Sequence, residues 1–132
     1  ARQMEQVVIN ITNNAVFAMK ESVGNTEHAG VLRKGELTVG SRFHAYKECV
    51  EIFIKDTGVG ISKNVLRKIF DPFFTTRKDG KGTGLGLSIS YGIVKMHDGS
   101  IEVDSEIGKG TTFRIFLPLK AKKEQEMCVI KL

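Results

Sequence analysis

The sequence predicts an α/β sandwich, with three helices on one face of a mixed, largely antiparallel sheet. Three observations lead there. The periodic segments run helix, two strands, helix, loop, helix, two strands, an order that simple βαβ alternation does not describe. The first and last helices are apolar on one side only. The most regular strand alternates, so one of its faces is covered and the other meets solvent or a neighbouring domain.

Residues 3–20 carry Met4, Val7, Val8, Ile11, Ala15, Ala18 and Met19 at helical spacing, with Gln6, Asn10, Asn14 and Phe17 as a second stripe beside them. Residues 21–35 are polar and hold Gly24, Asn25, Gly30 and Gly35, so they read as a long surface loop. Strands follow near Glu36–His44 and Cys49–Lys55; in the second, Val50, Ile52 and Ile54 point one way and Glu51, Phe53 and Lys55 the other. Ser62 is placed to cap a short helix over residues 62–69. Residues 71–83 form a charged loop. Residues 84–97 read as a helix that Gly99 ends. Closing strands lie near Ser100–Ser105 and Thr111–Leu117, joined by a turn with Gly108 and Gly110.

One domain accommodates all 132 residues, divided as 1–119 for the folded unit and 120–132 for a lysine-rich tail. No apolar run reaches the ~20 residues that span a bilayer, and the N-terminus carries no signal-peptide pattern. Cys49 and Cys128 are far apart and form neither a zinc pattern nor a disulfide framework, so a cytoplasmic, reducing setting is expected. The formal charge of +5 permits a polyanionic partner, although Lys120, Lys122, Lys123 and Lys131 of the tail supply much of it.

Four stretches carry chemistry. In Asp56-Thr57-Gly58-Val59-Gly60, strand parity puts Asp56 on the same side as Ile52 and Ile54. A carboxylate at the lip of a core needs a hydrogen-bond donor, such as the amino group of adenine, and the two glycines admit a ligand ring. A turn after a strand explains the same residues without a ligand. In Gly80-Lys81-Gly82-Thr83-Gly84-Leu85-Gly86-Leu87, four alternating glycines lead into a helix, whose free amides and dipole attract phosphate. The pattern is neither a P-loop nor a Rossmann turn. Asn10 and Asn14 lie four apart on one helix side, where amide oxygens could share a magnesium ion with a triphosphate or stand as ordinary surface groups. In Phe70-Asp71-Pro72-Phe73-Phe74-Thr75-Thr76-Arg77-Lys78, aromatics beside basic residues suggest a mobile lid whose Arg77, Lys78 or Lys81 reaches phosphate, or a loop that Phe73 and Phe74 anchor in the core.

In this order the stretches resemble the N, G1, F and G2 boxes of the catalytic ATP-binding domain of two-component sensor histidine kinases, in the GHKL superfamily. Gly108-Lys109-Gly110-Thr111-Thr112-Phe113 is similar to the further glycine box of that family. The resemblance runs from about Gln3 to Leu119, and its flavour is that of the nitrogen-regulation and sporulation kinases. It implies a Bergerat-type sandwich with a mobile ATP lid, and ATP and Mg²⁺ as cofactors. By position, Asn14 resembles the magnesium ligand and Asn10 a second contact to metal or phosphate. Asp56 resembles the adenine-reading carboxylate, with Gly58, Gly60, Ile61 and Phe74 shaping its pocket and Thr111 supporting it. Lys81, Gly82, Thr83, Gly84, Leu85 and Gly86 resemble the phosphate loop.

The resemblance also implies partners: a histidine-bearing dimerisation domain of the same kinase and a response-regulator receiver domain. The full protein would be a homodimer, with or without a membrane anchor, and the isolated domain a monomer. Two positions depart from the family pattern. Phe17 and Ala18 stand where many relatives carry a basic residue and a tyrosine. Related ATPases of the gyrase and chaperone type carry a glutamate base where this chain has Asn10, so little ATP hydrolysis is expected. His28, His44 and His97 lack the setting of a phosphoacceptor, so the chain alone should bind nucleotide without phosphorylating itself. An anti-sigma-type serine kinase with the same ATP fold is the alternative enzyme. A basic nucleic-acid-binding module would need a surface stripe of cations with exposed aromatics, and no nucleic acid is expected.

Overall fold

The computed structural model of the chain describes residues 2–24, 34–77, 80 and 82–119. The elements are α1 (Arg2–Gly24), β1 (Leu37–His44), β2 (Cys49–Asp56), α2 (Lys63–Leu66), α3 (Gly86–Met96), β3 (Ser100–Glu106) and β4 (Gly110–Pro118). The strands form one sheet in the order β1-β2-β4-β3. Every pairing is antiparallel among the described residues, which narrows the mixed sheet that the sequence suggested.

Three boundaries move for physical reasons. α1 runs past residue 20 to Gly24, because Glu21-Ser22-Val23 contains no breaker and the first glycine is the first stop. α2 is regular only over four residues; hydrogen-bonded turns from Lys68 to Val65 and from Asp71 to Lys68 carry the rest of the predicted helix. α3 begins at Gly86 instead of residue 84, because Gly84 has a φ of 68°, outside the right-handed helix region.

α1 and α3 lie side by side on one face of the sheet. Val7 and Ile11 from α1, Val94 from α3, Ile54 from β2, and Phe113 and Ile115 from β4 form the buried core, with Ile69 closing its edge. Register then decides what stands at the end of that core. Ile52 faces Ile115 and Ile54 faces Phe113 across β2 and β4, and the next inward pair is Asp56 with Thr111. Across β4 and β3, Val103 faces Phe113 and Ser105 faces Thr111. The apolar ladder therefore ends in a polar row, Asp56–Thr111–Ser105.

The opposite face of the sheet is polar but not open throughout. Glu51 is buried there. His44 Nε2 lies 2.6 Å from its carboxylate, and the guanidinium groups of Arg42 and Arg114 approach at 3.8 and 3.5 Å. Arg114 also pairs with Asp104. Three side chains from two neighbouring strands thus gather around one buried carboxylate.

Candidate functional site

A cavity of about 330 Å³ lies between α1, the loop before α3 and the polar end of the sheet. Asp56 forms part of its wall. Only 3% of Asp56 is exposed, and its Oδ1 accepts the Gly58 N–H at 2.8 Å. Burial raises its pKa above the ordinary 3.8, while hydrogen bonds from the backbone of Gly58 and Thr111 pull it back down. A buried carboxylate held in place by backbone donors keeps acceptor capacity for a further donor.

Ser105 braces this corner. Its hydroxyl accepts the Ile61 N–H at 2.7 Å and meets Thr111 Oγ1 at 2.7 Å and the Gly110 carbonyl at 3.0 Å. The sequence reading passed over Ser105. Its signal was parity, since Ile101, Val103 and Ser105 share the inner face of β3. Gly60 has a φ of 74°, and a Cβ there would overlap the Glu106 carbonyl, so glycine is required for the chain to pass β3. Ile61 and Phe74 are half-buried and line the cavity beside it.

Gly58 stands behind the cavity. A Cβ on it would lie 2.7 Å from the backbone of Ala18, and the Val59 N–H donates to the Ala18 carbonyl at 3.2 Å. Helix and strand meet there at backbone distance. The small side chain of Ala18 suits that closeness, because a large side chain leaving α1 toward Gly58 has no room.

At the other end, Asn10 ties α1 to α3. Its Nδ2 donates to the Gly86 carbonyl at 3.1 Å and to Ser90 Oγ at 3.2 Å, and its Oδ1 accepts from Gln6 Nε2 at 2.8 Å. Ser90 spends its own proton on the Gly86 carbonyl, which fixes Asn10 as the donor. Asn14, one turn along, lines the cavity, and its amide bonds no other described residue. Gly82, Thr83, Gly84 and Gly86 line the same end. Leu85 caps α3 from behind without a side-chain bond, and its N–H donates to Thr83 Oγ1 at 3.3 Å. The first amides of α3 therefore open beside the cavity without a side-chain cap. A Cβ on Gly84 would overlap the backbone of Phe73, so that glycine lets the loop cross.

Phe73 itself is 74% exposed, so it does not anchor the loop in the core; Phe74 alone turns inward. Lys78, Lys81, His28 and the tail 120–132 lie outside the described residues. His44 belongs to the Glu51 cluster on the far face, and His97 ends α3 with Nδ1 on the Ile93 carbonyl at 2.8 Å, so neither lines the cavity.

A family model described as histidine kinase-, DNA gyrase B-, and HSP90-like ATPase matches residues 1–121. The chain belongs to this ATPase family. Sensor kinase CckA of Brucella abortus (strain 2308) is 48% identical over 121 residues, which cover 88% of this chain and 12% of that protein. Sporulation kinase E of Bacillus subtilis (strain 168) is 37% identical over 127 residues, covering 93% of this chain and 15% of its own. The nucleotide-free catalytic domain of histidine kinase ThkA matches with a TM-score of 0.68 at 30% identity, over 89% of this chain and 66% of that one. This ATPase-family chain therefore has the fold of a histidine kinase catalytic domain and spans 12–15% of the length of the two curated kinases named. No helix among its described residues is long and apolar enough to cross a membrane.

Proposed function

We propose that the cavity binds ATP with Mg²⁺ and presents the γ-phosphate to a histidine on a separate dimerisation domain. The observation that carries this reading is the pairing, in one cavity, of a buried carboxylate at one end with the glycine-lined N-terminus of α3 at the other. Asp56 would accept the exocyclic amino group of adenine, with Thr111 and Gly58 holding the carboxylate and Gly60, Ile61 and Phe74 flanking the ring. The amides of Gly82, Gly84 and Gly86 would take the phosphates.

Among the described residues no cluster of three His, Cys, Asp or Glu exists that could cage a metal. The amide oxygen of Asn14 at the cavity wall suits Mg²⁺, which keeps water and phosphate oxygens as most of its ligands. Asn14 would be the protein's ligand; Asn10 would join it only by exchanging its bond from Gln6. The metal would neutralise charge on the phosphates. In the transfer, the bond from the γ-phosphorus to the β–γ bridging oxygen breaks, a bond to the imidazole nitrogen forms, ADP leaves, and the imidazole proton passes to solvent. This step needs positioning and charge neutralisation more than protein acid–base chemistry. Asn10 occupies the place of the hydrolytic base, and an amide cannot take a proton from water, so hydrolysis should be slow. The phosphohistidine would then supply a response-regulator aspartate, and the kinase would work in the cytoplasm.

The test is titration with a non-hydrolysable ATP analogue, followed by incubation with ATP alone and with the histidine-bearing domain of the same kinase. Binding that strengthens with Mg²⁺, label on the added domain and none on this chain alone are expected. Failure to bind the analogue at any Mg²⁺ concentration removes the reading.

Asp56 gives a pH signature. Its raised pKa means that, just above pH 3.8, the folded chain holds more protons than the unfolded chain. The contribution of this group to nucleotide-free stability therefore declines as pH rises through that window. Nucleotide affinity runs the other way, because the ionised carboxylate is the stronger acceptor, and should fall as pH drops through the raised pKa. Affinity measured against pH should show this in the wild type and lose it in Asp56→Asn; parallel curves would refute it.

A further inference from the structure

Resting on that reading, we infer that Ser105 is a positioning residue for base selection: it takes the hydroxyl proton of Thr111, so this corner of the cavity presents oxygen acceptors and turns away a 6-oxo purine. Proton counting carries the argument. A serine hydroxyl has one proton to give and two lone pairs to receive. Ser105 Oγ has three partners: the Ile61 N–H at 2.7 Å, the Gly110 carbonyl at 3.0 Å and Thr111 Oγ1 at 2.7 Å. The amide can only donate and the carbonyl can only accept. All three contacts are hydrogen bonds only if Ser105 gives its proton to Gly110 and Thr111 gives its own to Ser105.

Thr111 is buried, lines the cavity and pairs with Asp56 across β2 and β4. With its proton spent behind the wall, its oxygen has only lone pairs to offer a ligand. Three neighbouring amides are spent as well. The Gly58 N–H serves Asp56, the Val59 N–H serves the Ala18 carbonyl and the Ile61 N–H serves Ser105. Ile61 and Phe74 add apolar side chains to the same wall. Two oxygen acceptors, on Asp56 and Thr111, therefore stand together. A 6-amino purine brings two N–H bonds to them. A 6-oxo purine brings one N–H and a carbonyl, so one acceptor is left facing oxygen, and an unpaired buried acceptor is costly. The carboxylate alone could still take the N1–H of a 6-oxo purine, so Asp56 by itself discriminates less than the pair. Ser105 does not line the cavity and acts through Thr111.

The experiment is titration with ADP and with IDP, whose bases carry the 6-amino and the 6-oxo group, read as the ratio of the two dissociation constants. The wild type should prefer ADP. Ser105→Ala frees the Thr111 proton to turn toward a ligand carbonyl, so the preference should shrink about three- to tenfold, the range of one hydrogen bond. Ser105→Thr keeps the hydroxyl and should keep the wild-type ratio. Thr111→Val removes the acceptor and should also shrink the preference. Adding Ser105→Ala to Thr111→Val should change the ratio no further, because residues that act through one group are not additive. A merely structural brace would lower the melting temperature and weaken ADP and IDP by the same factor. That unchanged ratio in Ser105→Ala overturns the inference, as do a wild type that binds both nucleotides equally and a further change in the double variant. Should Ser105→Ala fail to fold, the ratio in Thr111→Val decides in the same way. If the wild-type chain binds neither nucleotide, the ATP reading itself fails; if it binds ADP and the ratio ignores residue 105, only this inference fails.

Discussion

Replacing Asp56 by asparagine should weaken binding of an ATP analogue by about 1–3 kcal/mol, roughly fivefold to 150-fold, while leaving the fold intact. The shape is conserved, so the buried wall keeps its packing. The chemistry is not conserved. The carboxylate offers acceptors on both oxygens; one takes the Gly58 N–H and a further bond comes from the Thr111 backbone. An asparagine that keeps its oxygen on those donors turns its NH₂ toward the ligand, donor against donor. Nucleotide-free stability should change by less than about 1 kcal/mol, because removing a partly desolvated charge offsets the weaker backbone bonds. Thermal melting separates the two effects. With analogue at a hundred times the wild-type Kd, the wild type gains about 2.7 kcal/mol, whereas a variant bound fiftyfold more weakly gains about 0.6 kcal/mol. Equal nucleotide-induced shifts in the two proteins would remove Asp56 from the adenine contact.

Asp56 was legible in the sequence because parity is a local rule. Ile52 and Ile54 fix the inner face of β2, and two residues later the same face must carry Asp56. The stripe Gln6, Asn10, Asn14, Phe17 was legible for the same kind of reason, helical spacing, and it borders the cavity or supports its wall. What a stripe meets is not local. That Asn10 would bond Gly86 and Ser90 depends on α1 lying beside α3, the partners being 76 and 80 positions apart in the sequence. Phe17 breaks the family pattern in the sequence, and only tertiary packing brings the Arg77 guanidinium carbon to 4.1 Å from its ring centre. Glu51 is the clearest case of an illegible residue. Alternation assigns it to the outer face, but only the alignment of β1, β2 and β4 brings Arg42, His44 and Arg114 around it and buries it. Helix ends failed where composition was read before backbone geometry: the positive φ of Gly84 starts α3 two residues late.

The turn between β3 and β4 should yield the largest loss of stability from the smallest change. Gly108 and Gly110 both have positive φ, at 80° and 122°. A sequence reading treats them alike, as two glycines of one turn. Their surroundings separate them. A Cβ on Gly108 meets nothing within 4 Å, so Gly108→Ala carries only the backbone penalty, about 1 kcal/mol. A Cβ on Gly110 would overlap the main-chain carbonyl of Asp56 and crowd Thr57. Backbone cannot rotate away as a side chain can, so strain and overlap add, and Gly110→Ala should cost about 3–5 kcal/mol. Relief would require β4 to move off β2 at the pair Asp56–Thr111, the pair that fixes the carboxylate. The loss should therefore show twice, as a lower urea midpoint than Gly108→Ala and as weaker analogue binding in whatever fraction remains folded. Equal midpoints for the two alanine variants would mean that β2 and β4 do not approach as closely at Gly110 as described, and the site built on that approach would have to be redrawn.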